Sequence, residues 1–362
     1  MTLKYFVLFI LLFPLWISAQ VRQSDDNESP KEGKILKAKH DQYKIYTIER
    51  DTTYVDTSLT IQSDYKYNYL RKDTFGLLPF ANEGQTYATL DFGLQKQNVY
   101  PEFGFKAKHF NYFKPEDIRY YSVATPLSEL YFKTVMEQGQ NVDALIAINT
   151  SEQFNVSISY KGLRSLGKYI NQLSSTGNFK ITASYFTKNK RYISNFHYVG
   201  QDISNGENGG ITTLSDFEEE NSAFRNRARF QVYFTDAKSF LKGKRFFVDH
   251  SFRINPKDTE NNLIVNHQFN YETKYYEFYQ LTQNTTIGNE SVKRFGQSFY
   301  DGEINDQLRY RKMYNQVGLS FKSNLLGKFK VFVEDYYYKQ YYAYNWVIND
   351  VTIPYKIDNR IN

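Results

Sequence analysis

Asp249-His250-Ser251 sets the three residue types of a nucleophilic triad side by side. A relay needs serine, imidazole and carboxylate within hydrogen-bond reach of one another. Neighbours on a strand point to opposite faces, so His250 turns away from Asp249 and Ser251 and joins Val248 and Phe252 on an apolar face. That pattern reads as a packed or interfacial histidine. His267 and His109 also fall on apolar faces, and His40 sits in an irregular stretch. Five His and no Cys provide no zinc spacing, so no catalytic residue, metal site or cofactor is expected. Gly206, Gly209 and Gly210 precede the acidic run Asp216-Phe217-Glu218-Glu219-Glu220, whose carboxylates suit calcium. The spacing matches no EF-hand, and a solvated acidic loop is the plainer reading. Gly162-Leu163-Arg164-Ser165-Leu166-Gly167-Lys168 lacks the Gly-Lys-Ser/Thr ending of a phosphate cradle.

The polar faces of the alternating segments carry a different chemistry. Lys106, Lys108, Lys180, Arg227, Arg229, Arg245, Arg253, Lys322 and Lys330 lie opposite the apolar stripes, against the acids Glu102, Asp143, Asp249 and Glu334. Rings of one charge sign set the selectivity of a pore, and basic rings favour anions. The same charges could instead hydrate and pair across a lumen. Tyr336, Tyr337, Tyr338, Tyr341, Tyr342 and Tyr344 could stack sugars, although such tyrosines more often form an aromatic girdle at a membrane interface.

The elements that must position these residues alternate apolar and polar side chains one by one. Phe154-Asn155-Val156-Ser157-Ile158-Ser159-Tyr160 is the cleanest. Phe179 to Tyr185, Ala228 to Phe234 and Phe246 to Ile254 repeat the pattern. A period of two puts all apolar side chains on one face of a strand. The alternation therefore predicts Ile181, Ala183, Phe230, Val232, Phe246, Val248, Val265 and Val331 facing outward. Lys180, Arg229, Arg245, Asn266 and Lys330 should face inward. A closed sheet of such strands is a membrane β-barrel, and two such sheets packed together make a soluble sandwich.

Composition favours the barrel. Mean hydropathy is −0.61, yet 18% of the residues are aromatic, with 33 Tyr and 30 Phe. Disordered chains are poor in aromatics. A helical membrane protein would show long apolar runs, and none follows residue 17. The opening Lys4, the apolar run Tyr5–Ile17 and Ser18-Ala19-Gln20 read as a secretory signal cut after Ala19, since the run is shorter than the roughly 20 residues of a spanning helix. The formal charge of +6 becomes +5 without Lys4 (44 basic minus 39 acidic) and gives no reason to expect nucleic-acid binding. With no cysteine there is neither a disulfide framework nor a cysteine-linked lipid anchor.

Connections sort by parity. Short links are expected at Thr150–Gln153, Lys188–Arg191, Tyr271–Lys274 and Ser323–Lys328, with Asp236–Lys244 somewhat longer. Long links are expected at Gly162–Gly177, Gly200–Arg225, Asn255–Asn262 and Gln283–Gln307. Outer-membrane barrels alternate tight periplasmic turns with long outer loops in this way. By this count the strand from Phe329 to Trp346 ends on the outside with an unpaired edge, and the final residues Asn359-Arg360-Ile361-Asn362 lack a terminal aromatic. The expectation is a signal peptide at 1–19, an irregular periplasmic extension at 20–63 with a short strand within Tyr43–Ile48, and at 64–362 an all-β, antiparallel transmembrane β-barrel. Tyr65, Tyr67 and Tyr69 would open it, with about 12–16 strands, and it would be incomplete at its C-terminus.

Several stretches resemble the putative porin family of Gram-negative outer membranes. They are Arg71-Lys72-Asp73-Thr74-Phe75-Gly76-Leu77-Leu78-Pro79-Phe80, Tyr100-Pro101-Glu102-Phe103-Gly104, Lys108-His109-Phe110-Asn111-Tyr112, Thr125-Pro126-Leu127-Ser128-Glu129-Leu130-Tyr131, Glu137-Gln138-Gly139-Gln140 and the run from Tyr160 to Tyr169. The resemblance implies a barrel and supplies no catalytic residues. The expected activity is passive diffusion of small polar solutes, leaning towards anions, in the outer membrane. Its partners would be membrane lipid, the barrel-assembly machinery and the solutes. A closed structural or surface-binding barrel is the alternative, followed by a barrel enzyme or a secreted, carbohydrate-binding sandwich.

Overall fold

The computed structural model describes residues 38–362 except 57–59, 91–106, 136, 138, 219–221, 256, 258–261, 282–284, 288–289, 293–303, 324, 326, 349–350 and 362. The expected signal peptide, Glu102 and Lys106 lie outside the described residues. The N-terminal part holds short pieces: β1 (Lys44–Tyr46), β2 (Thr52–Tyr54), β3 (Leu77–Pro79), β4 (Tyr87–Thr89) and β5 (Tyr120–Ser122). β1 falls within Tyr43–Ile48, where a short strand was expected, and β2, β1 and β5 form a small sheet.

Ten strands then form one antiparallel meander in chain order. They are β6 (Leu127–Val135), β7 (Gly139–Ser151), β8 (Phe154–Ser165), β9 (Ser174–Phe186), β10 (Tyr192–Gly206), β11 (Lys238–Arg253) and β12 (Asn262–Gln280). After the small hairpin of β13 (Thr285–Ile287) and β14 (Glu290–Val292) come β15 (Ile304–Ser323), β16 (Gly327–Ile348) and β17 (Val351–Ile361). One end of the sheet carries the links 152–153, 187–191, 254–261 and 324–326. The other carries 136–138, 166–173, 207–237, 281–303 and 349–350. The two longest links share one end, as the parity argument expected, but 254–261 lies at the end of the short links and not among the long ones, because β11 and β12 absorb the two links expected on either side of it.

Burial along the strands inverts the soluble pattern. On β8, Asn155, Ser157, Ser159 and Lys161 are buried, whereas Ile158 and Tyr160 are each 50% exposed. Leu130 is 76% and Val331 72% exposed, while Asn178, His197 and Arg245 are sealed. We call the buried polar face inner and the exposed apolar face outer. Alternation fixes which residues share a face. What lies against the inner face is the chain itself. Val123 N–H donates to Asn155 Oδ1 at 2.9 Å, and Tyr120 Oη meets His197 Nδ1 at 2.7 Å. Asn205 Nδ2 reaches Gly84 O at 3.1 Å, and Tyr69 Oη meets Thr176 Oγ1 at 2.9 Å. The described parts of 38–123 thus run along the inner face between its two ends.

The structure corrects several expectations. Ile61–Lys66 is a 3-10 helix, so Tyr65 and Tyr67 open no strand. Among the described residues the sheet starts at Leu127 and has ten strands, fewer than twelve to sixteen, because the described parts of 64–123 cover its face instead of extending it. Tyr271–Lys274 is no link, since β12 runs through it, and Asp236–Lys244 belongs to β11 from Lys238 on. Val351–Ile361 pairs with Tyr338–Ile348, so a further strand follows the tyrosine-rich run and covers its edge there. His109 lies in the 3-10 helix Ala107–Asn111 and not on a strand face.

Ala228–Phe234 is the largest departure. Arg227–Arg229 forms a 3-10 turn, and Phe230, Val232 and Phe234 are buried in a folded link between β10 and β11. The Phe230 ring lies 5.1 Å from Phe224, 5.8 Å from Tyr169 and 6.1 Å from Phe217. Ile211 bridges Val232. Asn171 ties the link down by donating to the carbonyls of Glu207, Phe234 and Ala237. Phe230 and Val232 therefore do not face outward from the sheet, and Arg229 does not face inward from it.

Candidate functional site: a cationic belt on the inner face

Strand register gathers charges at mid-height. One row across the sheet reads Asp143, Lys161, Asn178, Gln201, Gly243, Lys274 and Tyr310. The next reads Leu145, Ser159, Lys180, Val199, Arg245, Glu272 and Lys312. Five cations, Lys161, Lys180, Lys274, Lys312 and Arg245, share these rows with two acids, Asp143 and Glu272.

Residues 107–120 lie on this belt. Arg245 is its hub: Nη1 donates to Phe113 O at 2.8 Å, Nε to His197 Nε2 at 3.0 Å, and Nη1 lies 3.5 Å from Glu272 Oε1. Tyr112 donates to Glu272 Oε1 at 2.8 Å. Lys161 donates to Asn111 Oδ1 at 2.8 Å and stands 4.7 Å from the Tyr69 ring centre. Lys180 sits over the Phe113 ring at 3.9 Å. Buried cations need such partners, because an unpaired charge away from water is costly. Gly243 has its place for a steric reason: a Cβ there would collide with the Tyr112 ring and hydroxyl. Burial pushes the Tyr112 and Tyr120 phenols above the ordinary range, so both remain protonated donors near neutral pH.

Among the described residues Asn141 has no protein partner for either amide atom, and Oδ1 of Asn178 and of Asn270 has none. Such atoms on a polar face are where water is accommodated.

The basic residues singled out by alternation are dispersed. Lys180 and Arg245 lie in the belt. Lys330 is on the inner face of β16, opposite Ser320, and is exposed. Arg253 is half-buried on the inner parity of β11, at its last residue. Lys108 lies in the 3-10 helix Ala107–Asn111 and pairs with Glu207. Arg227 stacks 4.7 Å from the Phe217 ring centre, and Arg229 is exposed, both in the link 207–237. The backbone of Lys322 pairs in β15, while its side chain lies outside the described residues. Lys161, Lys274, Lys312 and Glu272 were missed. Reading Tyr271–Lys274 as a link hides two of them, and Lys161 stands just before the expected link Gly162–Gly177. Continuing the period of two through Glu272 and Lys274 would have found both. Of the tyrosine run, Tyr336 and Tyr338 face inward, and Tyr336 pairs with Tyr314 at 4.8 Å between ring centres.

No group of metal-ligating side chains occurs among the described residues. Nor is any described helix long and apolar enough to cross a membrane, which says nothing about strands. Residues 39–362 match the family described as putative porin. The chain belongs to the putative porin family. Membership points to a channel rather than an enzyme. No curated protein matches the chain. Among solved structures, the open form of the ferric-catecholate import receptor Fiu from E. coli K12 aligns at TM-score 0.39 and 10% identity, over 63% of this chain. The aligned part is 36% of that receptor, so this chain spans little more than a third of its length.

Proposed function

We propose that this chain forms the wall of an outer-membrane β-barrel that passes small polar solutes and prefers anions. The observation that carries the reading is the inverted sheet, apolar and exposed on its outer face and polar and buried on its inner face. A soluble sandwich buries its apolar faces. On β12 the outer stripe runs from Leu263 to Tyr275, interrupted by His267 and Thr273. Its 12 steps of about 3.3 Å span roughly 40 Å along the strand, or roughly 28 Å across a bilayer at a 45° tilt, near the ~25 Å apolar band of such barrels. Asn315 and Asp335 form a cross-strand pair on the outer parity of β15 and β16 that interrupts the stripe there. Lipid, the barrel-assembly machinery and the solutes are the partners this reading requires. Reconstitution tests it: the full-length protein should need detergent, float with liposomes and conduct in a planar bilayer. A protein that stays soluble and monodisperse without detergent would overturn the reading.

Preference for anions rests on the belt, five cations against two acids. Reversal potentials in a salt gradient should report anion selectivity, and Arg245→Glu should weaken it. A cation-selective unmodified protein would refute the preference. The contacts of 107–120 with the belt favour a second reading, in which this segment narrows the lumen. Gly243→Leu, which fills the space under Tyr112, should then raise single-channel conductance. A large conductance, equal in both proteins, would mean that the segment does not obstruct passage.

A further inference from the structure

Resting on the membrane reading, we propose that the turn 187–191 binds the phosphate of an anionic glycerophospholipid headgroup in the leaflet at the short-link end of the sheet. The choline cation of a zwitterionic lipid is instead repelled by the turn's basic residues. The turn and the adjoining strand ends line a groove of about 360 Å³, formed by Thr187, Lys188, Asn189, Arg191, Tyr192 and Phe252. Tyr192 and Phe252 are directly opposed on β10 and β11, and both belong to the outer face. The groove therefore opens where the apolar face ends and the polar turn begins.

The turn is held in one shape. Asn189 Oδ1 accepts from the Thr187 hydroxyl at 2.7 Å and from Arg191 N–H at 3.1 Å, and Lys190 N–H donates to Thr187 O at 2.7 Å. Lys190 takes a left-handed backbone, φ 53°, which closes the turn. Arg191 lies 4.6 Å from the Phe252 ring centre and donates through Nε to Arg253 O at 3.2 Å and through Nη2 to Ile254 O at 3.4 Å. Its fork is thus fixed, with donor capacity remaining for a phosphate oxygen. Lys188 and Lys190 are exposed on the same turn, giving three cations, while the neighbouring turn contributes the acid Glu152.

A lipid satisfies both halves of this groove. Its phosphodiester takes the lysines and Arg191, and its acyl chains continue along Phe252, Val248 and Phe246 on the outer stripe of β11. A free anion would use only the cations and leave the Tyr192 and Phe252 surface wet. The place also agrees with the general siting of short links in outer-membrane barrels, next to the periplasmic leaflet.

The test uses the delipidated full-length protein in detergent, offered phosphatidylglycerol or phosphatidylcholine, with retained lipid counted by native mass spectrometry. Phosphatidylglycerol should be retained preferentially, and Lys188→Ser with Arg191→Ser should lower its retention roughly thirtyfold, given about 1 kcal/mol for each of the two basic residues at an anionic surface. Lys190→Ser, at an exposed position that does not line the groove, should lower it less and guards against misfolding of the double variant. Equal retention of both lipids, or retention unchanged in the variants, would overturn the site. Displacement of the lipid by excess inorganic phosphate would assign the turn to free anions and also overturn it. Flotation separates the two readings. A protein that floats with phosphatidylcholine liposomes but shows no lipid preference loses only this site, whereas one that floats with no liposome loses the membrane reading as well.

Discussion

β8 and the stretch Ala228–Phe234 alternate apolar and polar residues in the same way and end in opposite environments. On β8, Ile158 and Tyr160 are exposed while Ser157 and Ser159 are buried. In the link between β10 and β11, Phe230 is 1% and Val232 8% exposed, while Arg229 faces solvent. Alternation sorts side chains onto two sides of a chain, but it does not say which side meets other protein. Among the described residues no segment covers the apolar side of β8. In the link it folds onto Tyr169, Phe217 and Phe224 and makes a small soluble-type core. The comparison distinguishes apolar residues that are paired with protein from apolar residues that await lipid.

Truncation should separate the two most strongly. Phe230→Ala should cost the link about 3–5 kcal/mol, as for a buried aromatic, seen as faster protease cleavage within 207–237 with the sheet still protected. Ile158→Ala should change neither readout measurably, since lipid closes over the missing atoms. Equal sensitivity of the two sites would abolish the distinction.

Charge insertion sharpens it from the other side. Ile158→Arg should destabilise the reconstituted protein by roughly 2–4 kcal/mol if the position is near the bilayer midplane. Denaturant unfolding in vesicles would measure this, and no change would place Ile158 in water. Spin labels make the same contrast without an energy scale. A label at Val248 should be reached by a lipid-dissolved quencher, and one at Val232 should be protected from it.

The smallest expected effect concerns the tyrosines packed near the ends of the inner face. Burial pushes Tyr87 and Tyr121 up to about 12, with Glu83 adding to the rise at Tyr87. Their protonated forms are favoured in the folded state, so the stability they contribute is complete below about 10, the ordinary phenol value. It declines as pH rises from there through 12. Ultraviolet titration of the folded protein should show a late-ionising class of tyrosines that shifts to the ordinary value in denaturant. A single transition near 10 in both states would contradict the packing.

Much of the wall was legible because the period of two is local. That Ile181, Phe246 and Val265 share one face and Lys180, Arg245 and Asn266 the other followed from it, whereas the sorting of links followed only in part, since 254–261 falls at the end of the short links. The described parts of 64–123 were illegible for the opposite reason. Their short pieces are ordered by Arg245, His197 and Glu272, which lie more than seventy residues further along the chain, and nothing in their own spacing announces that contact. The belt was half visible. Lys180 and Arg245 stood out on clean alternation, whereas Glu272 and Lys274 were lost in a run of polar and aromatic residues that resembles a turn.

The sequence by itself determined that the protein is built of antiparallel strands with one apolar and one polar face, because side-chain direction on a strand depends only on neighbours along the chain. Only the tertiary structure decided that the described parts of 38–123 cover the polar face and seal it. Which face is covered depends on contacts between segments far apart in sequence, where the pairing of charges such as Arg245 with Glu272, and not any local period, sets the free energy.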